Sequence, residues 1–495
     1  MGLIQQQSVK NTIFGYLGLG VGYINFVILF PNFFKAEEFG LIQLIMSLSI
    51  VYSQISFFGL YNSIAKFFPL FRNESKDHNG FLLVVAAITL VAFLLITLIY
   101  LIFKPVILDF FKDNSSLYIE YYFVLIPLSL FLLLYNIFES LARSIFKTVY
   151  AVFLKEFLFR VLTSVLILFY ITSILSFENF VFAYIILNGF ISLLLMISVI
   201  HSGEFSILGL KRKVNARRWR EVIKFSSYSF VGSSTYMLAE NIDKILIGSY
   251  VGLTMVGVYS VFFYIAGVLK FPARAIYRIA LPVIAVSWKG DDIKNIQEIY
   301  YRSSRLLHII GSIIFICLMI NLNSLLLFFN KTEYGENYML LILLGFSALI
   351  DVTGGINSDI IATSSKFRYD GIFNAVYLIV CIILNFIFIQ LYGATGAAIA
   401  TLVSMFLFKF GKWNFIRVKF KMQPFDLKYF YLISISAVSF LVGATIPAIS
   451  NIIVDVIVRS AITTIVFFSP IIFFKLDPDV VRIFRNLKDK LNLSS

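Results

Sequence analysis

Three cations, Lys270, Arg274 and Arg278, recur every four residues inside an apolar run at 257–283. On a helix that spacing stacks them along one face. Arginine presents a planar fork that can give a phosphate two parallel hydrogen bonds, and lysine adds a mobile point charge. Such a stripe suits an anion, and a phosphate-bearing cargo is the natural candidate. Pro272 and Pro282 bracket it. Each proline removes a helix hydrogen bond and leaves backbone groups that need a polar cavity or a neighbour. An alternative stays open, in which Arg274 and Arg278 snorkel to the membrane interface and only Lys270 is buried.

Other charges occupy similar surroundings. Lys155, Glu156 and Arg160 fall in a run at 151–175, where Glu156 and Arg160 have the spacing to pair. Glu240, Asp243 and Lys244 fall at 225–250, where Glu240 and Lys244 have the same spacing and Asp243 lacks a local partner. Asp351 and Asp359 stand two turns apart at 338–362, beside Gly354 and Gly355. The carboxylates Asp243, Asp351, Asp359 and Glu240 are read either as counter-ions to the cations or as sites that couple transport to an ion. With Lys409 added, the cations within apolar runs outnumber the carboxylates. A cavity lined by that surplus would favour an anion.

The surroundings are what make these charges expensive. The chain has 495 residues, of which 60% are hydrophobic and 14% charged, with a mean hydropathy of +0.90. A soluble domain carries about 25% charged residues, so most of this surface must face lipid. Runs of roughly 20 apolar residues, enough to cross a bilayer, number about fourteen. With the N-terminus inside, the loops at 66–80, 141–150, 202–224, 284–307, 363–370 and 417–428 and the tail from 475 hold nearly all the loop cations. That asymmetry places both termini in the cytoplasm. The densest run, Lys211, Arg212, Lys213, Arg217, Arg218, Arg220 and Lys224, is read as an orientation signal touching anionic headgroups, not as a nucleic-acid site. No small-residue cleavage site follows the first apolar run, which is expected to remain as a span.

The expected architecture is an all-α polytopic membrane protein in two related halves. Residues 1–210 form an N-terminal six-helix lobe, 211–224 a basic cytoplasmic linker, 225–416 a C-terminal six-helix lobe, and 417–495 two additional helices with a basic tail. The segment Phe33–Leu41 stands in the first half where Tyr250–Val258 stands in the second, each a short turn entering a helix at glycine. Even span numbers per half make the repeat parallel, with its pseudo-twofold along the membrane normal and cargo between the lobes. No glycine-rich loop ending in Gly-Lys-Ser/Thr supplies a nucleotide motor. His78, His201 and His308 lie at run ends or in loops, Cys317 and Cys381 are isolated, and no metal or cofactor is expected beyond an H⁺ or Na⁺ coupling ion. Enzyme chemistry has no obvious seat.

Three segments carry a family resemblance. Glu240–Gly248 followed by Val256–Ser260, Tyr392–Thr401, and Glu38–Leu41 resemble bacterial polysaccharide repeat-unit flippases of the O-antigen type. These belong to the multidrug/oligosaccharidyl-lipid/polysaccharide exporter superfamily. The resemblance implies alternating access and export of an undecaprenyl-pyrophosphate-linked oligosaccharide across the bacterial cytoplasmic (inner) membrane. It implies a cationic lumen, falling here on Lys270, Arg274 and Arg278 and on Lys155 and Arg160. The expected partners are that lipid-linked cargo, membrane lipids, a glycan polymerase and glycosyltransferases. A lipid II flippase and a drug or cation antiporter of the same superfamily are the competing readings. The last two runs, at 429–449 and 453–474, are expected to form a groove for the polyprenyl tail.

Overall fold

A chain surrounded by lipid must satisfy its backbone hydrogen bonds within each segment, which leaves helices or a closed barrel. A computed structural model describes residues 3–73, 78–203, 216–329 and 331–492, and among these the regular elements are all helical. The principal helices are α1 (Leu3–Tyr23), α2 (Ala36–Phe57), α3 (Leu60–Phe71), α4 (Phe81–Ile102), α5 (Leu125–Ser144), α6 (Phe159–Ile171), α7 (Phe177–His201), α8 (Ala216–Ser229) and α9 (Thr235–Tyr250). They continue as α10 (Leu253–Ala266), α11 (Phe271–Lys289), α12 (Ile293–Ile320), α13 (Met339–Thr353), α14 (Asn357–Thr363), α15 (Arg368–Phe420), α16 (Leu427–Thr445), α17 (Ile452–Phe473) and α18 (Pro478–Asn492). Lys211, Arg212 and Lys213 of the basic run lie outside the described residues.

Ten helices among the described residues are long and apolar enough to cross a membrane, or eleven when α13 and α14, bent by 46°, count as one span. Length and composition therefore do not confirm the count of about fourteen. Within α15 the runs at 371–391 and 393–416 are two helices that meet at Gly393, whose φ 59° and ψ −139° are not helical. That backbone is accessible to glycine and strained for other residues. The runs at 151–175 and 225–250 are helical but polar, carrying Lys155, Glu156 and Arg160 in one and Ser226, Ser234, Glu240, Asp243 and Lys244 in the other.

The apolar side chains face outward where lipid is expected. Along α4, Leu90, Val91, Leu94, Leu95 and Leu98 are each more than half exposed, while Thr89 on the same helix is buried. That pattern reverses the polarity of a soluble protein.

The chain forms two compact units, Met1–Val261 with Asn374–Ala397, and Phe262–Phe373 with Ala398–Ser495. In the first unit the two copies of the glycine motif meet. A Cβ on Gly40 would lie 1.8 Å from the Leu253 carbonyl oxygen, and one on Gly257 would lie 2.2 Å from that of Ala36. Each glycine thus admits the backbone one turn before the other, a reciprocal contact of the kind a local twofold produces. The Lys35 backbone N–H donates to Glu38 Oε2 at 2.9 Å, closing the start of α2 at this junction.

In the second unit α16 and α17 pack on α12. Ile309, Ile313, Ile316 and Ile320 of α12 join Leu432, Phe467 and Ile471 in one buried cluster. Arg305 Nε donates to Asp477 Oδ2 at 2.6 Å, with both side chains buried. Asp477 Oδ1 also accepts from the Val480 N–H at 2.8 Å, capping α18. On α17 Arg459 Nε lies 3.2 Å from Asp455 Oδ1, one turn away.

Gly257→Leu is expected to destabilise the protein by about 1–3 kcal/mol or more, since the new side chain meets backbone rather than a yielding side chain. Gly267→Ala, where nothing lies within 4 Å of an added Cβ, should be neutral. Thermal unfolding in detergent decides; equal melting temperatures for both variants would refute the glycine junction.

Candidate substrate and coupling sites

The cationic stripe begins at a break. Gly267–Lys270 is a 3₁₀ turn, and Pro272 stands in the first turn of α11, where its missing N–H costs nothing. The stripe then divides by environment. Lys270 is half-buried, and its Nζ lies 3.0 Å from Asp351 Oδ2. Arg274 and Arg278 are exposed on α11, with the Arg274 guanidinium 5.6 Å from the Phe271 ring centroid.

Asp351 binds a second lysine. Lys409 Nζ approaches Asp351 Oδ1 at 2.6 Å, so one carboxylate near the end of α13 holds cations from two other segments. The helix then breaks across Gly354 to Ile356, with Gly355 at φ +57° against Ser304. Ser304 Oγ donates to the Thr353 carbonyl at 2.6 Å and closes part of the interrupted backbone. One turn beyond Lys409, Lys412 Nζ donates to Asp370 Oδ1 at 2.7 Å and to Ser358 Oγ at 3.0 Å. Asp359 lies half-buried on α14. Lys270, Lys409 and Asp351 together carry one net positive charge.

The first unit holds two further groups. Asp243 is buried, accepting from the Tyr259 hydroxyl at 2.6 Å and from Asn385 Nδ2 at 2.7 Å. Lys244 is buried and Glu240 half-buried on the same helix. Elsewhere in that unit, Phe153–Leu158 is a π-helix that widens the turn carrying Lys155 and Glu156. Arg160 reaches Glu156 Oε2 at 2.6 Å, the expected pair. Lys155 Nζ sits 4.3 Å from the Tyr135 ring centroid.

Sequence reasoning did not single out Lys412, Asp370, Asn385 or Tyr259. Lys412 follows Lys409 at helical spacing, and Asn385 is a lone amide in an apolar run. Those were the available signals. Among the described residues no group of three or more His, Cys, Asp or Glu side chains could hold a metal ion. Cys317 and Cys381 are not joined in a disulfide.

A groove of about 520 Å³ runs between α12 and α17, with walls that include Ile313, Cys317, Leu318, Ile453 and Ile457. It is apolar along most of its length, with Asn321, Ser324 and Ser460 as its polar edge.

A multi-pass helical membrane protein with intramembrane charge clusters is the class that fold and geometry define. The family model described as polysaccharide biosynthesis protein matches residues 7–288, more than half of the chain, and the chain belongs to that family. The capsular polysaccharide biosynthesis protein CapF of Staphylococcus aureus is 25% identical over 198 residues, 39% of this chain and 49% of that protein. The chain thus spans about half the length of this curated relative. The lipid II flippase MurJ in an inward closed conformation has a similar fold, with a TM-score of 0.71 and 16% identity, covering 94% of this chain and 99% of that one. An inward-facing multidrug resistance transporter of the MATE family, in the MOP superfamily, follows at TM-score 0.65 and 13% identity, covering 82% and 94%. At these identities the likeness is one of fold. It agrees with the family resemblance read from the glycine-bearing segments.

Asp351→Leu leaves Lys270 and Lys409 without their shared carboxylate, and is expected to destabilise the protein by about 3–5 kcal/mol. Adding Lys409→Met should restore part of that loss, because one stranded cation is removed. Thermal unfolding of the single and double variants measures the coupling, and strictly additive losses would show the ion cluster to be energetically irrelevant.

Proposed function

We propose that this protein is a flippase that carries an undecaprenyl-pyrophosphate-linked oligosaccharide repeat unit from the cytoplasmic to the periplasmic leaflet of a bacterial inner membrane. The observation that carries this reading is the exposed Arg274–Arg278 pair on α11, beside a cluster of net positive charge, in a chain of the polysaccharide biosynthesis family. Exposed guanidinium groups on an apolar helix are costly unless they meet water or an anion. A pyrophosphate matches their paired donors. Lys155 and Arg160 of the first unit are further candidates for contact with an anion.

The cargo has a polar head that needs a cationic path and a lipid tail that cannot follow it. The groove between α12 and α17 is suited to the tail because its walls are mostly apolar, although of the two last apolar runs only the one at 453–474 lines it. Both termini and the basic run at 211–224 lie on the cytoplasmic side in this reading. The six-helix lobes at 1–210 and 225–416 rock about the cargo, with 417–495 appended. Glycosyltransferases supply the cargo and a glycan polymerase consumes it.

Ion coupling completes the cycle. Asp243, Asp351, Asp359 and Glu240 are the groups whose loading with H⁺ or Na⁺ would alter the charge balance and so bias the two access states. Asp243 is buried and accepts from Tyr259 and Asn385, on the same helix as Glu240 and Lys244. A lipid II flippase is the second reading, favoured by the 94% of the chain that the MurJ fold covers.

Arg274→Ala with Arg278→Ala is expected to abolish surface glycan in cells whose only repeat-unit exporter is this protein, at unchanged protein level. Normal glycan would overturn the proposal, and rescue of cells depleted of their lipid II flippase would favour the second reading. Separately, transport by proteoliposomes should respond to a pH or Na⁺ gradient and lose that response on Asp243→Asn. Indifference to both gradients would make the carboxylates structural counter-ions.

A further inference from the structure

Four residues separate α17 from α18 in the second unit, so α18 cannot begin far from the end of a helix long and apolar enough to cross the membrane. Lys475, with φ 49°, lies in that connection. The first turn of α18 is fixed from α12. Arg305 pairs with Asp477 inside the protein, Asp477 accepts the Val480 N–H, and Arg302 Nε donates to Asp479 Oδ2 at 2.9 Å. Val480 then joins the buried cluster that holds Leu432, Phe467 and Ile471.

Beyond that turn the helix emerges at the surface. In the sequence Val480, Ile483, Phe484, Leu487 and Leu491 have the spacing of a helix with one apolar face, and Arg482, Arg485, Lys488 and Lys490 are set among them. Ile483 and Phe484 are exposed, although the Phe484 ring centroid lies 5.3 Å from that of Phe468 on α17. Arg482 and Arg485 are exposed as well. Phe473 and Phe474, where α17 ends, are each more than half exposed. Of the two carboxylates on α18, Asp479 and Asp489, the first is engaged by Arg302, so cations predominate in the charge this helix presents.

We infer that α18 lies along the cytoplasmic headgroup layer and binds anionic phospholipids through its arginines and lysines, with Ile483 and Phe484 at the acyl boundary. A helix that carries cations and one apolar face settles in the plane of the membrane interface, and anionic lipid strengthens its binding. A free phosphate would meet the cations but leave the exposed rings in water. A zwitterionic headgroup would cover the rings but offer the cations no net charge. An anionic lipid satisfies both. The inference uses the cytoplasmic placement of the C-terminus proposed above and not the identity of the cargo. Through Arg302 and Arg305 the bound headgroups would be tied to α12, one wall of the apolar groove.

The test uses the full-length protein in nanodiscs of phosphatidylcholine, alone or mixed with phosphatidylglycerol. Ile483→Cys, in a chain with Cys317→Ala and Cys381→Ala, carries an environment-sensitive fluorophore. Its emission is expected to shift to the blue in the anionic discs, to shift less in phosphatidylcholine, and to return at about 1 M salt, where the screening length is about 3 Å. The same label on Asp489→Cys should report water in both discs. Arg482→Gln, Arg485→Gln, Lys488→Gln and Lys490→Gln combined should remove the difference between discs at a wild-type melting temperature in detergent, which separates headgroup binding from loss of fold. Equal shifts in both discs would reduce α18 to an apolar anchor and overturn the anionic site. No shift in either, or a difference that survives the four replacements, would overturn it as well. In intact cells, reaction of the unlabelled Cys at 483 with an impermeant maleimide would place α18 outside and overturn the cytoplasmic leaflet as its partner. Surface glycan is scored separately through Arg274 and Arg278, so this surface and the exporter reading fail independently.

Discussion

A charged side chain at lipid depth has to be met by an opposite charge, a hydrogen-bond donor or water, because hydrocarbon offers none of them. Much of the arrangement described here follows from that requirement. Asp351 is met by two lysines, Asp243 by a phenol and an amide, Glu156 by Arg160, and Arg305 by Asp477. Most of these partners stand on different segments. Satisfying a charge therefore also sets which helices pack together and in what register.

The same charges coincide with irregular backbone. Lys270 closes a 3₁₀ turn, Lys155 and Glu156 sit in a π-helix, and Asp351 precedes the break between α13 and α14 by less than a turn. A second π-helix, Phe230–Ser234, leads into α9 with Glu240, Asp243 and Lys244. A broken helix at membrane depth exposes carbonyls and amides that only protein or a wet cavity can satisfy. Charge and break thus reinforce one another. Each supplies polar groups that stabilise the other.

The two lysines on Asp351 also separate two kinds of cation. Lys270 and Lys409 are committed to a carboxylate, whereas Arg274 and Arg278 stand exposed on the next turns of the same stripe. Equal spacing in sequence therefore does not mean equal exposure. The lysine position ties its segment to α13 through Asp351, and the arginines beyond it stand at the surface.

Much of this was legible in the residues themselves. The lipid environment follows from 60% hydrophobic residues and scarce charge, and the pairs Glu156–Arg160 and Asp455–Arg459 from their four-residue spacing. Such pairs are local, so helical geometry alone brings them together. The motif copies around Gly40 and Gly257 were visible too, although not that each would admit the other's backbone. What only the tertiary structure decided was long-range: that Asp351 takes Lys270 and Lys409, that Asp243 takes Asn385, and that Lys412 takes Asp370. Spacing along the chain fixes which residues share a helix face. Which face meets which neighbour is settled by packing and by the demand that every buried charge find a partner, and that choice is made among all the helices at once.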